Sequence, residues 1–139
     1  MSCAFCNLDP KRNIILKEKQ KVFVMLSNPR LMAGHLLVIP RRHVEKLSEL
    51  KEDEKKELFD TIIEFEEKIL SRISRGCDIK QHHRSFLEES DLKVNHLHVH
   101  LLPRGLEDEL YKKVQVFEKD IFKWVTDQEK EKVLNNLGL

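Results

Sequence analysis

Histidine and apolar residues alternate without a break in NHLHVHLLPR, residues 95–104. Successive side chains of a β-strand point to opposite faces, so this period of two predicts a strand over residues 93–102. Pro103 and Gly105 are expected to end it. The strand carries an imidazole face of His96, His98 and His100 and an apolar face of Leu97, Val99 and Leu101. The apolar face has to be buried against a second layer of structure, which this sequence must supply.

Residues 51–75 supply that layer, because they have the period of a helix. Apolar side chains recur at alternating steps of four and three, which places them on one face of an α-helix. That face is formed by Leu58, Ile62, Phe65, Ile69 and Ile73. The helix is expected to stop at Gly76, because glycine is common just beyond a helix C-terminus.

Three further segments have the composition of strands, at residues 21–27, 35–40 and 77–83. A loop rich in turn residues, NPRLMAGH, joins the first two, which favours an antiparallel pair. Strands grouped around one long helix predict an α+β fold, with an antiparallel sheet packed on that helix. The C-terminal tail is predicted to be helical over 116–125 and 128–139. We find no linker or repeat and expect one domain over residues 1–139.

Composition excludes several classes of function. The 139 residues carry 25 basic and 24 acidic side chains, a formal net charge of +1, so no nucleic-acid-binding surface is expected. No apolar run approaches the roughly 20 residues needed to span a membrane, and the first residues do not resemble a signal peptide. The protein is therefore expected in the cytoplasm, where its three cysteines would be thiols or metal ligands.

Three imidazoles on one face allow more than one chemistry. Imidazole has a pKa near 6.5 and acts as a nucleophile, a proton carrier or a metal ligand. One possibility is a solvated face that is rich in histidine by chance. A second is a catalytic zinc held by two of the histidines and a ligand from elsewhere. In a third, the middle histidine attacks phosphorus while its neighbours orient it.

HLHVHLL resembles the signature of the histidine triad family of nucleotide hydrolases and transferases, in which histidines and apolar residues alternate. The upstream segment GHLLVIPRRHVEKLSEL is also similar to that family, and a long helix separates the two segments as it does there. The similarity covers about residues 3–105, whereas the tail 106–139 matches only loosely.

The resemblance implies a role for each histidine of the triad. His98 would attack the α-phosphate of a nucleotide and form a nucleotidyl-imidazole that water resolves. His100 would contact the phosphate oxygens and help the leaving group depart, and the backbone around His96 would hold the ring of His98 in the reactive tautomer. This chemistry requires no catalytic metal.

The sequence departs from the family where phosphate and ribose are bound. Many members have glycine, glutamine and a serine or threonine before the triad, and here Asp91, Leu92 and Lys93 stand instead. Lys93, or Arg84 in the preceding loop, is a candidate for the missing phosphate contact, although both can equally be solvated loop cations. The family's ribose-binding acidic or amide residue falls at Ser27, and Asn28 follows it.

The N-terminal segment CAFC places Cys3 and Cys6 at the spacing of a metal-binding or redox pair. Some members of the family complete a structural zinc site with such a pair and two histidines. The resemblance assigns those histidines to His43 and His96, and four protein ligands leave no open position for catalysis. Of the remaining residues, His35 is expected to pack or hydrogen-bond in its turn, Cys77 to be a buried strand thiol, and His82 and His83 have no assigned role.

Three functions follow, in order of preference. The first is a hydrolase that cleaves a phosphoanhydride or phosphoramidate bond at the α-phosphate of a purine nucleotide. Dinucleoside polyphosphates and nucleoside phosphoramidates are the substrate classes that the resemblance implies. The second is a zinc-stabilised nucleotide-binding module with little turnover, and the third is a zinc-dependent hydrolase. The resemblance also implies a homodimer, joined through the long helix and a sheet edge.

Overall fold

The computed structural model describes residues 3–114 and 121–139 and confirms an α+β fold. Its sheet has five antiparallel strands in the order β1-β2-β3-β5-β4. The strands are β1 Ile15–Glu18, β2 Val22–Leu26, β3 Leu36–Pro40, β4 Gly76–Gln81 and β5 Val99–Arg104. The helices are α1 Glu52–Arg72, α2 Glu109–Val114 and α3 Asp127–Leu137, with a short 3-10 helix at Leu47–Glu49.

Helix α1 packs on one face of the sheet as its period predicts. Leu58, Ile62, Phe65 and Ile69 are buried, and they join Val22, Val24, Leu36, Val38, Leu97, Val99 and Leu101 in one core cluster. The prediction for Ile73 is wrong, since its side chain is 59% exposed. The helix ends at Arg72, so Ile73 follows the last turn, and Gly76 opens β4 instead of stopping the helix.

The opposite face of the sheet carries a second apolar cluster over strands β2 and β3. It consists of Phe23, Met25, Leu37 and Ile39, and the N-terminal segment packs on it through Phe5, Leu8 and Ile15. The two strands are therefore apolar on both faces, as is expected of a sheet covered on both sides. The part of this face that lies over β4 and β5 is where the histidines are found.

The predicted antiparallel pair of β2 and β3 is confirmed, with Leu26 opposite Leu36 and Val22 opposite Pro40. Strand β1 was not predicted, because ILKE is short and mostly exposed and has no apolar face of its own. Strand β4 is shorter than the predicted 77–83, since it ends at Gln81 and leaves His82 beyond it.

The predicted strand over 93–102 is partly wrong. Strand β5 begins at Val99, and Lys93 forms only an isolated bridge with Ser90. His96 and His98 therefore precede the strand, although the apolar half of the alternation is buried as predicted. Pro103 does not end β5, because it lies within the strand, opposite Cys77, but the strand runs to Arg104 and stops before Gly105 as expected.

The tail prediction is correct for its second half. Helix α3 lies within the predicted segment 128–139 apart from its first residue, and Thr126 caps it by accepting a hydrogen bond from the Glu129 N–H. Residues 121–125 are not helical, in contrast to the prediction over 116–125, and residues 116–120 lie outside the described part of the chain. Within the described ranges, no helix has the length and apolar character needed to cross a membrane.

Candidate functional site

The triad segment is fixed to the sheet at two points. The Leu97 N–H donates to the Val44 carbonyl over 2.6 Å, which ties the segment to the turn that follows β3. Two residues later β5 begins, with His100 opposite Leu37 of β3. The rings of His98 and His100 lie next to each other, with centroids 4.8 Å apart.

His98 is held in a single tautomer. Its Nδ1 lies 2.7 Å from the His96 carbonyl oxygen, which can only accept, so Nδ1 carries the proton and Nε2 has a free lone pair. Burial lowers the pKa of His98, although the same hydrogen bond opposes that shift. The ring is therefore a neutral imidazole with its nucleophilic nitrogen unprotonated.

A relay of hydrogen bonds also determines the tautomer of His100. The Leu31 N–H donates to Nδ1 of His35 over 3.1 Å, so the neutral His35 ring carries its proton on Nε2. That nitrogen lies 2.9 Å from Nδ1 of His100 and donates to it. His100 consequently carries its own proton on Nε2, where it can donate to a ligand.

Burial lowers the pKa of His35 to about 4 and that of His100 to about 3. His35 was expected to pack or hydrogen-bond within its own turn, and it does accept from Leu31 there. The sequence did not predict its contact with His100, because that contact depends on the pairing of β3 with β5. These strands are separated by 58 residues of the chain, between Pro40 and Val99.

A fifth imidazole approaches from the end of β4. The ring of His82 lies 5.2 Å from that of His100, centroid to centroid, at an interplanar angle of 33°. Lys80 lies directly opposite His100 in the pairing of β4 with β5. Neither residue was assigned to the site from the sequence, since only the register of these two strands brings them together.

Four potential metal ligands meet beside the triad. A turn in which the Cys6 and Asn7 N–H groups both donate to the Cys3 carbonyl places the two thiols close together. The ring of His43, just past β3, lies 4.9 Å from the ring of His96. The ligand atoms of Cys3, Cys6, His43 and His96 all lie within 4.8 Å of one another.

The spacing of these atoms fits a tetrahedral zinc shell. Zinc–sulfur bonds of about 2.3 Å and zinc–nitrogen bonds of about 2.0–2.1 Å give a sulfur–nitrogen edge of about 3.6 Å. The corresponding distances from His96 Nδ1 are 3.4 Å to Cys3 Sγ and 3.5 Å to Cys6 Sγ, and His43 Nδ1 lies 3.6 Å from Cys6 Sγ. His96 Nε2 donates to the Pro40 carbonyl over 2.7 Å, which leaves Nδ1 free to bind a metal.

The predicted nucleotide-binding residues are not gathered around the triad by any hydrogen bond or ion pair within the described ranges. Ser27 Oγ donates to the Pro29 carbonyl, and Asn28 Nδ2 donates to the Arg12 carbonyl. The Lys93 ammonium donates to Asn95 Oδ1. Arg84 lies in the exposed loop after β4, where its charge contributes to lowering the pKa of His82.

Known protein sequences contain a domain family that matches this chain. The HIT domain, the histidine triad domain, matches residues 8–107. The chain belongs to the histidine triad family. An uncharacterized HIT-like protein of Chlamydia muridarum is 36% identical over 75 residues, which are 52% of this chain and 56% of that protein. The chain thus spans little more than half the length of that relative.

Solved structures of the histidine triad family share the fold. A member of the HIT family from Bacillus subtilis superposes with a TM-score of 0.72 at 21% identity, covering 99% of this chain and 96% of that one. A histidine triad nucleotide-binding protein from Candida albicans gives a TM-score of 0.70 at 21% identity, covering 97% of this chain and 93% of that one. At this identity the two likenesses establish the fold alone.

The buried imidazoles predict a loss of stability in acid. The pKa values of His35 and His100, about 4 and about 3, lie below the value near 6.5 expected in the unfolded chain. The unfolded state therefore binds more protons as the pH falls from 6.5 towards 4, and stability decreases over that window. In urea titrations of metal-free protein, we expect the unfolding free energy at pH 5 to lie about 1–3 kcal/mol below that at pH 7.

The variant His35→Gln separates this effect from general acid sensitivity. Glutamine can accept from the Leu31 N–H and donate to His100 but does not titrate, so the variant should lose less stability between pH 7 and pH 5 than wild type. Parallel pH curves for the two proteins would contradict the assignment.

Proposed function

We propose that this protein is a nucleotide hydrolase that cleaves a phosphoanhydride or phosphoramidate bond at the α-phosphate of a purine nucleotide through a nucleotidyl intermediate on His98. Membership of the histidine triad family supports nucleotide-binding hydrolase or transferase activity in general. The observation that carries the finer proposal is the hydrogen bond from His98 Nδ1–H to the His96 carbonyl, because it leaves Nε2 unprotonated at neutral pH.

The reaction would proceed in two displacements. His98 Nε2 attacks the α-phosphorus, the N–P bond forms, and the bond from phosphorus to the leaving group breaks, with its electron pair departing on that group. The ring becomes cationic, and the His96 carbonyl stabilises it through the Nδ1–H. Water then attacks phosphorus, and a P–O bond forms as the N–P bond breaks and its electron pair returns to His98 Nε2. A proton of the water passes to solvent, and the nucleoside monophosphate leaves.

His100 would serve as a hydrogen-bond donor to the phosphoryl oxygens. The relay from Leu31 through His35 orients its Nε2–H, so this donor is present without a positive charge on the ring. A donor that is oriented before the substrate arrives needs no reorganisation as negative charge develops on the phosphoryl group. His35 is a positioning residue in this scheme, because it acts through His100.

Ser27, Asn28, Lys93 and Arg84 remain proposals for nucleotide binding. Ser27 and Asn28 lie at the end of β2, and their present hydrogen bonds go to neighbouring backbone carbonyls, so a ribose hydroxyl would compete for them. Of the two phosphate candidates, Arg84 is the one whose charge, after burial, contributes to lowering the pKa of His82 beside the triad. Lys93 is engaged with Asn95 and stays a prediction from the sequence alone.

We propose a structural role for zinc in the cluster of Cys3, Cys6, His43 and His96. A bound ion would fix the N-terminal segment to the triad and supply folding free energy, since the unfolded chain has no preformed site. Two thiolates and two imidazoles complete a tetrahedral shell, which argues against the zinc-dependent hydrolase, because no ligand position is left for water. A nucleotide-binding module with little turnover remains the second candidate, because a structural zinc site is compatible with binding alone.

The first test replaces the proposed nucleophile. His98→Asn removes the attacking nitrogen with little change in volume, so the rate of AMP release from a nucleotide conjugate should fall by several orders of magnitude while nucleotide affinity stays within a few-fold. His83→Asn, in the exposed loop, is the matched control and should keep the wild-type rate. A His98→Asn rate above about a tenth of wild type would exclude His98 as the nucleophile. A wild type that binds nucleotide but shows no burst of labelled product would favour the binding module.

The second test concerns zinc. Protein purified without added metal should contain about one zinc per chain, bound by sulfur and nitrogen. Cys3→Ala combined with Cys6→Ala should remove it and lower the melting temperature by more than it lowers the rate, because the ion supports structure and holds no catalytic water. Cys77→Ala, a cysteine outside the cluster, should leave the zinc content unchanged. Absence of zinc with an unchanged melting temperature would eliminate the site, and loss of activity on mild chelation of folded protein would revive the catalytic alternative.

We also propose that the chain forms a homodimer. Helix α1 exposes a second apolar stripe of Phe59, Ile63 and Leu70, and Ile73, just past the helix, and Ile79 of β4 are exposed as well. Strand β4 is an edge of the sheet, so its outer backbone groups are available to a second strand. A twofold pairing of two copies would cover the stripe and the β4 edge of each copy at once.

The dimer is tested by a charge in the stripe. Ile63→Glu should convert the protein to a monomer in sedimentation equilibrium, because the carboxylate would be buried without a partner. Val133→Glu introduces the same change at a similarly exposed apolar residue of α3 and should not alter the mass. A wild type that is monomeric at high micromolar concentration would overturn the proposal.

A further inference from the structure

Positive charge converges on one side of His100. Lys80 lies opposite His100 across β4 and β5, and paired residues of neighbouring strands share a face of the sheet. The ring of His82, two residues further on, lies 5.2 Å from that of His100. Burial lowers the pKa of His82, and the positive charges of Arg84 and Lys80 lower it further. Lys80 acts on His100 in the same way.

These cations are poorly matched by acidic groups. Lys80 Nζ lies 3.9 Å from Asp78 Oδ2, a long contact, whereas Arg104 Nη1 lies 2.6 Å from the same oxygen. Asp78 is therefore engaged mainly by Arg104. Over the ranges that the structure describes, no carboxylate forms an ion pair with Arg84, whereas Arg12, Arg30, Arg41 and Arg42 each have one. Charge beside the triad is thus available to a ligand.

The position of this charge relates it to the leaving group. His98 is the proposed attacking ring, and His100 lies next to it, with its Nε2–H on the nitrogen that does not contact His35. Lys80 and His82 lie on the far side of the sheet pairing from β3, so they extend the site beyond His100 at its β4 edge. Groups there would meet the part of a substrate that lies beyond the phosphate attacked by His98.

Nucleoside polyphosphates and nucleoside phosphoramidates have leaving groups with different requirements for charge and for a proton at that position. A departing phosphate is a stable anion at neutral pH, because the second pKa of a phosphate monoester is about 6, and it needs positive charge but no proton. A departing alkylamine has a pKa of about 10 and needs a proton as it leaves. His100 is a poor source of that proton, because burial holds its pKa at about 3.

We propose that Lys80 and His82, with Arg84 at the rim, bind the phosphates of the leaving group and select nucleoside polyphosphates over nucleoside phosphoramidates. The proposal rests on the function proposed above and names its substrate class. In the first displacement the bond from the α-phosphorus to the bridging oxygen breaks, and its electron pair leaves on that oxygen. The nucleotide or polyphosphate so formed departs as an anion next to Lys80 and Arg84, with no proton required.

The test compares two substrates that share an adenylyl group. For wild type, kcat/KM on diadenosine tetraphosphate should exceed that on adenosine 5′-phosphoramidate by at least about tenfold. Lys80→Ala combined with His82→Ala should lower the first value about tenfold or more and the second less than about twofold. Lys80→Arg combined with His82→Ala retains the charge and should recover most of the lost kcat/KM on diadenosine tetraphosphate. Lys17→Ala removes a strand lysine on the helix side of the sheet, opposite Val24, and should change neither value.

A binding arm keeps this inference separable from the proposed reaction. In a His98→Asn background, ATP should bind at least about tenfold more tightly than AMP at low salt, and the double substitution of Lys80 and His82 should remove that difference. Equal losses of kcat/KM for the two substrates, or an ATP preference that survives the double substitution, would overturn the proposal. A wild type that releases AMP from neither substrate but keeps the Lys80-dependent preference for ATP would refute the hydrolase and support the phosphate site.

Discussion

His96 makes three connections on which the site depends. Its Nε2–H donates to Pro40 at the end of β3, its Nδ1 faces the two thiols of the N-terminal segment, and its carbonyl accepts from His98. The side chain is 2% exposed, so a polar ring is buried with both nitrogens matched. Through this one residue, the N-terminal segment, the end of β3 and the candidate nucleophile are fixed relative to one another. In the proposed reaction, the side chain of the first histidine of the triad is structural, and its backbone carbonyl orients the ring of His98.

The N-terminal segment connects that ring to the rest of the site. Phe5 lies between the two cysteines, and its ring meets those of His96 and His98 edge-on, with centroids 5.9 Å and 5.2 Å away. The same side chain packs on the cluster of β2 and β3. Ordering this segment has an entropic cost that its few apolar contacts offset only in part. A zinc ion held by Cys3 and Cys6, as proposed above, would add to the stabilisation of this segment beside the triad.

The sequence predicted the parts of the fold that depend on period and the parts of the site that lie close together along the chain. The buried residues of α1 and the apolar residues between the histidines could be identified because each set repeats with the geometry of one element. Ile73 and Gly76 could not, because a helix end is decided by local capping and not by period. The contacts of His35, Lys80 and His82 with His100 depend on the order and register of β3, β5 and β4. Pairing of strands that are distant in sequence leaves little trace in a single sequence.

The imidazoles of this site and its two neighbouring cations, Lys80 and Arg84, differ in charge and in exposure to solvent. Burial lowers the pKa of His98 and His100, so the reacting rings stay neutral and offer a lone pair and an oriented N–H. A site without a charged donor would bind a polyanionic substrate weakly, because hydrogen bonds to phosphate oxygens are stronger when the donor carries a positive charge. Positive charge is instead supplied by Lys80 and Arg84, whose side chains remain in contact with water. In the proposed reaction, this separation of nucleophile and cation would let burial favour the attack by His98 while Lys80 and Arg84 attract the substrate, so that no ring of the triad has to do both.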